Sequence, residues 1–508
     1  MTADNTPIEK TFDPEIISGG MGVRISWWVM SRIVSMMGGL GVVSGTGLEI
    51  VYPRLLQDGD PGGHVRRAFT ELARRQPALA ADVWEIFNKY YIEGGRAPGT
   101  PYKQVPVCRL TRMENFKPGP DSFWELPREM QVLVLSANFA EVWLAKEGHD
   151  KPVGINFLRK VERPLPWALY GAMLAGAAYI LVGAGSPDEL PGMIERLSRH
   201  EPAAMSIKVY GVRSDSGSFY AQVSPGKLVG EKAAPLKPPK FLGIVSSFAL
   251  ANALASNPAT RPYGFVVESS EAGGHSVAPA KMRFDAKGQP FLMYTDADKA
   301  DIPAIAGLGL PFWLAGSCGS PDRLRAARAQ GASGIQFGTL AALSGQSGMA
   351  PKDRDKVLAL LAAGELKVVN EPLTSPTGFP FKVAQVPGTI SEPAVYQVRK
   401  RRCDVGLLQV NYLTPDGQLG YRCPAEPVDA FVAKGGRVQN TVGRACLCNA
   451  LLSACGLPQI HADGYVEPPI VTLGEDLESA RKLQAALPPG QKTYTIGKAL
   501  RFLREGTC

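Results

Sequence analysis

One pattern constrains this chain more than any other: short apolar runs recur between helix-length segments through most of the first 345 residues. Such runs are too short for core helices. Rich in Val, Ile, Leu and Phe at consecutive positions, they read as strands buried on both faces, as in a parallel sheet covered by helices. Strands are predicted at Glu15–Gly19, Leu40–Ser44, Val153–Phe157, Ala178–Val182, Phe241–Ser246, Gly264–Glu268, Pro311–Ala315 and Gly334–Phe337. Eight such βα units fit an α/β fold, a (β/α)8 TIM barrel. Helices are expected at Trp27–Met37, Trp167–Leu174, Asp188–Arg199, Phe248–Ala255 and Pro321–Ala329, the last with Ser320 as N-cap and Pro321 at its first position.

Two segments interrupt the alternation. Residues 47–150 carry helical stretches at His64–Arg75 and Leu79–Tyr91, a Gly/Pro-rich link at Gly94–Pro101 and an amphipathic helix near Asn138–Lys146, more than a βα loop needs. Residues 203–240 read as an extra strand, Met205–Tyr210, and a hairpin. The barrel is therefore assigned to 1–46 and 151–350, with 47–150 a mainly helical insertion and 351–508 a C-terminal extension. In that extension residues 375–470 are rich in Pro, Gly, Tyr and Cys, and helices are expected at Leu477–Ala486 and around Ile496–Arg504. A lid, an oligomerisation arm and a small separate module all fit it.

Composition excludes several classes. With 45% hydrophobic and 20% charged residues, the chain has the makings of a core and too little charge for disorder. The 55 Lys and Arg against 47 Asp and Glu leave +8, but the basic residues are scattered. Their single run, Arg399–Arg402, has no interleaved aromatics, so no nucleic-acid partner is expected. Eight cysteines are too sparse for a secreted disulfide framework, and Met1–Lys10 lacks the features of a signal peptide, so a cytoplasmic location is expected. Leu165–Gly185 runs uncharged for a membrane-spanning length. Pro166, Gly176 and the β-rich Tyr179–Val182 divide it into helix, turn and buried strand, so no membrane span is expected.

In a barrel of this kind ligands sit at the C-terminal strand ends. Four of those ends are glycine-rich: Ser18-Gly19-Gly20-Met21-Gly22, Glu271-Ala272-Gly273-Gly274-His275, Ala315-Gly316-Ser317-Cys318-Gly319-Ser320, and Gly338-Thr339. A phosphate needs several backbone N–H donors converging on one point. Glycines allow that approach, and helix N-termini add partial positive charge. The seventh and eighth ends are therefore expected to hold a phosphate, although capped βα turns would read alike. Neither matches a P-loop or a dinucleotide-binding fingerprint.

His275 follows two glycines beyond a strand end, where neutral imidazole can accept or return a proton near pH 7. The alternative is a structural polar residue in a turn. His64 shares the Gly-Gly-His pattern but opens a polar helix, and His149, His200 and His461 fall in polar loops. Asn156 lies inside an apolar strand, where an unpaired amide is costly, so it either meets a ligand or closes a core network. Gln336 invites the same argument. Cys318 sits in the expected phosphate loop without a local base partner. Cys403, Cys423, Cys446, Cys448 and Cys455 lack the paired C-x2-4-C knuckles of structural zinc sites, so buried free thiols and no metal are expected.

Taken in order, Gly19-Gly20-Met21-Gly22, Gly39-Leu40-Gly41, Gly154-Ile155-Asn156, Glu271-Ala272-Gly273-Gly274-His275, Ala315-Gly316 and Gly334-Ile335-Gln336-Phe337-Gly338-Thr339 resemble the nitronate monooxygenase (2-nitropropane dioxygenase) family. That family is itself similar to FMN-dependent enoyl-ACP reductases and to the enoyl reductase subunit of polyunsaturated fatty acid synthases. The resemblance covers about residues 15–345. It implies a barrel holding FMN without a covalent bond. Gly316, Ser317, Gly338 and Thr339 would meet its phosphate. Gly20, Met21, Asn156, Gly273, Gly274 and Gln336 would line the flavin or ribityl chain, and His275 would be the catalytic acid/base. It further implies oxidation of an alkyl nitronate with O2 to a carbonyl compound and nitrite, the alternative being NAD(P)H-dependent reduction of an enoyl thioester. A homo-oligomer or a synthase partner would be compatible. Family members usually carry glycine where this chain has Ser317, and the insertion and the extension exceed the compact members.

Overall fold

The structure is a computed structural model that describes residues 13–113, 121–212, 217–231 and 233–507. Met1–Lys10, part of the hairpin expected within 203–240, and Cys508 lie outside the described residues. Eight parallel strands close into a barrel: β1 (Ile16–Ser18), β2 (Leu40–Ser44), β3 (Val153–Leu158), β4 (Tyr179–Gly183), β5 (Lys240–Val245), β6 (Gly264–Glu268), β7 (Phe312–Ala315) and β8 (Gly334–Phe337). Every predicted barrel strand is present, with ends shifted by no more than one residue, whereas the extra strand expected at Met205–Tyr210 is instead two, Ala203–Ser206 and Val209–Tyr210, in different sheets. Neighbours in the barrel are neighbours in the chain, and β1 closes it by pairing with both β2 and β8.

Strand side chains alternate between two layers. Ile17, Leu40, Val42, Leu181, Leu242, Val266 and Trp313 fill the interior, whereas Ile16, Val43, Ile180, Phe241, Phe265 and Phe312 pack toward the helices. This double burial explains why the runs lack polar alternation. The N-terminal rim is pinned by polar contacts. Trp313 Nε1 donates to the Pro14 carbonyl at 2.6 Å, and the Tyr263 hydroxyl, 2.9 Å from Lys240 Nζ, donates to Asp13 at 2.6 Å.

The first helices are α1 (Trp28–Met36), α2 (Leu48–Gln57), α3 (His64–Arg75), α4 (Ala80–Tyr90) and α5 (Arg128–Lys146). Helix α2 was not expected, because Pro53 inside it removes a donor that a helix interior normally uses. Helix α5 corrects the amphipathic reading of Asn138–Lys146. It begins at Arg128 and is buried on nearly every face, enclosed by α1–α4 and by α6 (Leu165–Leu174). Trp27, the residue at the N-cap of α1, has no capping side chain. Glu141 of α5 substitutes, accepting from Trp28 N–H at 2.7 Å and from the Tyr52 hydroxyl at 2.8 Å.

The two interruptions share one sheet. Thr111–Arg112 and Ser122–Glu125 join Phe219–Val223 and Ala203–Ser206 in four strands. Val209–Tyr210 extends a hairpin of the C-terminal region, Val410–Leu413 with Leu419–Arg422. Around the barrel follow α7 (Leu190–Ser198), α8 (Phe248–Ser256), α9 (Pro321–Ala329) and the one-turn α10 (Thr339–Ala342). Beyond come α11 (Pro351–Ala363), α12 (Leu447–Ala454), α13 (Glu478–Ala485) and α14 (Ile496–Glu505).

Helix α14 packs between α1 and α9, with Ile496, Leu500 and Leu503 fully buried and Arg504 donating to the Met37 carbonyl at 2.8 Å. It occupies the wall position that a helix after β8 would take. The segment expected as an appendage thus ends as barrel wall, and residues 343–495 form an excursion within the last βα unit. Among the described residues no helix is long and apolar enough to cross a membrane.

Candidate functional site

A cavity of about 250 Å³ opens at the C-terminal mouth of the barrel, and every site residue singled out from the sequence lines it. Gly20 and Met21 come from the end of β1, Asn156 from β3, Gly273, Gly274 and His275 from the loop after β6, Gly316 and Ser317 from that after β7, and Gln336, Gly338 and Thr339 from the end of β8. A Cβ at Gly20 would stand 2.3 Å from the Cβ of Asn156, so the glycine is what lets the β1 and β3 ends close up. Gly316 has φ +88°, and its Cβ would meet Ser269 Oγ at 2.2 Å. Ser317 follows at φ +53°, a left-handed position uncommon for serine.

At the β7–β8 corner the chain turns through Gly316–Gly319 into α9, where the Ser320 hydroxyl oxygen accepts from Arg323 N–H at 3.2 Å, and through Gly338 into α10. No Lys or Arg is among the residues lining the cavity. An anion there would depend on backbone N–H groups and helix ends. Thr339 Oγ1 already accepts from Gly474 N–H at 3.0 Å, which leaves its hydroxyl hydrogen for a ligand. Asp476 also lines the cavity and opposes an anion. Gln336 Oε1 is buried with no hydrogen-bond partner among the described residues.

The roof comes from the C-terminal region, which sequence reasoning left unplaced. The loop Glu271–Ser276 is bracketed on both sides. Gly274 N–H donates to Thr472 Oγ1 at 2.8 Å, Lys382 N–H to the Gly274 carbonyl at 2.9 Å, Ser276 N–H to the Pro380 carbonyl at 3.0 Å and Glu475 N–H to the Glu271 carbonyl at 3.1 Å. Lys382, its side chain wholly buried, donates from Nζ to the Ser270 carbonyl and to Glu475, each at 2.6 Å. His275 lies against Phe379 and Phe381, and its Nε2 is 2.7 Å from Ser375 Oγ, which in turn is 2.7 Å from Thr377 Oγ1. Burial, with the Lys160 charge adding to it, lowers the His275 imidazole to about 4, so the ring is neutral at pH 7. Its Nδ1 has no hydrogen-bond partner among the described residues.

Glu268 was missed. It ends β6, lines the cavity and is pushed up to about 7 by burial. The signal was present: a charged residue closing an apolar strand invites the argument applied to Asn156. Ser375 and Thr472 had no local signal, since they gain meaning only from the distant loop they touch, and Asp476 only from the cavity it lines.

Cys318 lines the cavity, and burial raises its thiol to about 11, which keeps it protonated. His64 packs on Trp28 away from the cavity, His149 approaches the Ala145 carbonyl, and His200 bridges the Tyr170 hydroxyl and the Ala234 carbonyl. His461 is not in an open polar loop as expected. It is buried, 3.1 Å from Glu467. Among the described residues no three His, Cys, Asp or Glu side chains are arranged to hold a metal ion.

No protein-family model matches the chain, and no curated protein matches it. Among solved structures it is similar to FabK from Thermotoga maritima, at 15% identity and TM-score 0.38 over 74% of this chain and 72% of that one. It is similar to the nitroalkane oxidase from Streptomyces ansochromogenes, at 13% identity and TM-score 0.34 over 73% and 77% of the two chains. It is also similar to the enoyl reductase domain of MlnA, from the macrolactin biosynthesis cluster of Bacillus amyloliquefaciens, at 11% identity and TM-score 0.47 over 97% and 96%.

Proposed function

We propose that this chain is an FMN-dependent oxidoreductase of the nitronate monooxygenase kind, which converts an alkyl nitronate and O2 to a carbonyl compound and nitrite. The observation that carries this reading is the meeting, in one cavity, of the glycine-rich turns at the β7–β8 corner, an unpartnered Gln336 carbonyl oxygen and a neutral imidazole. These features fit FMN. A buried amide oxygen without a protein donor asks for a ligand N–H, and a Cβ at Gly274 would meet nothing within 4 Å, so that face of the cavity has room. Gly316, Ser317, Gly338 and Thr339 would hold the phosphate. Gly20, Met21, Asn156, Gly273 and Gly274 would flank the ring and the ribityl chain, with Gln336 Oε1 accepting from a ring N–H. Bound FMN supplies the electron-transfer chemistry.

The chain's own residues supply placement and a proton. Ser375 orients the His275 ring through Nε2, which leaves Nδ1 as the atom that holds or takes a proton at the substrate. Phe379 and Phe381 beside the ring keep bulk water from it. A second reading, reduction of an enoyl thioester, is favoured by one specific feature. Leu407, Leu408, Leu447 and Leu451 form an apolar wall that suits a hydrocarbon chain and that a small nitronate does not need.

The deciding experiment is an absorbance spectrum of the purified protein with and without added FMN, followed by oxygen uptake with propionate 3-nitronate. A flavin band and oxygen uptake are expected. No flavin band after FMN addition would overturn the proposal. NAD(P)H consumption with an enoyl thioester, without oxygen uptake on the nitronate, would move the assignment to the second reading.

A further inference from the structure

The register of the barrel fixes where Glu268 points. Glu268 of β6 is paired with Ala315 of β7, which is paired in turn with Gln336 of β8. Val266 and Trp313, two residues earlier on β6 and β7, fill the barrel interior, and side chains alternate along a strand. Glu268, Ala315 and Gln336 therefore point inward too, one layer higher, and with Ile244 of β5 they make the floor of the cavity.

A carboxyl in that layer has no protein partner. The floor around it is apolar at Ile244 and Ala315, and Glu268 has no side-chain hydrogen bond or ion pair to any described residue. Two lysines stand nearby, but Lys382 Nζ is engaged with the Ser270 carbonyl and Glu475, and Lys160 Nζ lies over the Phe379 ring at 5.2 Å. A carboxylate without a cation or a donor is costly in such a place, so burial pushes Glu268 up to about 7. The acid form carries an O–H, which needs an acceptor. The same floor holds the opposite deficit, since Gln336 Oε1 is buried without a donor. A ligand that presents an N–H and a carbonyl close together answers both, and the pyrimidine part of the flavin ring carries both.

We propose that Glu268 is a cofactor-binding residue in its acid form, donating its carboxyl O–H to an acceptor on the flavin ring while Gln336 Oε1 accepts from a ring N–H. The inference rests on the FMN reading above and adds to it a dependence on pH. Above neutrality the free site has lost the proton that the occupied site keeps, so binding takes one proton from the buffer. Affinity is full below about pH 6 and falls as pH rises through about 7. His275, lowered to about 4, stays neutral across that window, and the raised thiols of Cys318 and Cys448 stay protonated. Asp476 lines the same cavity and Glu271 opens the loop beyond β6, and both are unaltered in a variant at position 268.

The test titrates FMN into the flavin-free full chain by fluorescence at about pH 6 and about pH 8, for the wild type and for Glu268→Gln, whose amide donates without titrating. Over that range the wild-type Kd should rise about tenfold relative to the Kd of Glu268→Gln. Calorimetry of the wild type at about pH 8, in two buffers of different ionisation enthalpy, should count uptake of about one proton per FMN bound. That count decides the matter if the variant fails to fold. A carboxyl with a merely structural role would move neither readout. Parallel pH profiles for the two proteins, or no proton taken up by the wild type, would overturn the proposal and leave the FMN reading intact. No FMN binding even at about pH 6, where the acid form prevails, would overturn both.

Discussion

His275 and Glu268 share a cavity and are displaced by the same cause in opposite directions. Burial penalises charge, so the imidazole stays neutral down to about 4 and the carboxyl keeps its proton up to about 7. The stability consequences oppose each other. As pH falls from the ordinary histidine range toward 4, the unfolded chain gains a proton that folded His275 refuses, and stability falls. As pH rises from the ordinary carboxyl range toward 7, the unfolded chain has lost the proton that Glu268 keeps, and stability falls again. Glu268→Gln should therefore raise the melting temperature at about pH 8, with the gain fading near pH 5, in thermal melts at both pH values. His275→Ala should retain FMN while turnover drops ~10²–10⁴-fold, read as a preserved flavin spectrum with slowed oxygen uptake. Asp476→Asn removes a like charge from the anion's surroundings and should tighten FMN binding roughly threefold to tenfold in a fluorescence titration. Asn156 stood out in the sequence because it breaks an apolar run. Glu268 broke one equally, at a run's last position, where a polar residue is easily assigned to the following loop.

The roof segments and the loop after β6 depend on a close approach of backbones. A Cβ at Gly273 would lie 2.9 Å from both Leu473 C and Gly474 N, atoms that cannot swing aside. Gly273→Ala should thus cost about 1–3 kcal/mol and open the roof, seen as a lower melting temperature and faster proteolysis near Thr472. The barrel strands were legible because burial on both faces writes itself into consecutive residues. Elements of the roof were not. Val368–Glu371 and Phe381–Ala384 form a short hairpin held by backbone pairing and by the loop it covers, and neither needs an apolar repeat. Pro53 hid α2 for a related reason: tertiary packing of Leu48, Val51 and Leu56 outweighs a local preference.

Across the whole molecule one continuous core joins barrel, insertions and roof. A chain ended after Leu366 would lose α14 from the wall and expose the apolar faces of α1 and α9 that it covers. Such a truncation should bind a hydrophobic dye and lose the sharp thermal transition of the full chain, as calorimetry would show. Site residues from β1 to α10 were readable because they cluster at strand ends, where barrel geometry gives position a meaning. Their partners from 375 to 479 were not, since nothing local marks a loop as the cover of a distant one. The place of α14 has a consequence in time. A ribosome releases the strand-end residues up to Thr339 well before Thr472 and Gly474, an interval of roughly 7–27 s at ordinary elongation rates. During that interval the nascent barrel has all eight strands but lacks its last wall helix and its ceiling, so a bulky ligand has an open door that the finished protein closes behind it.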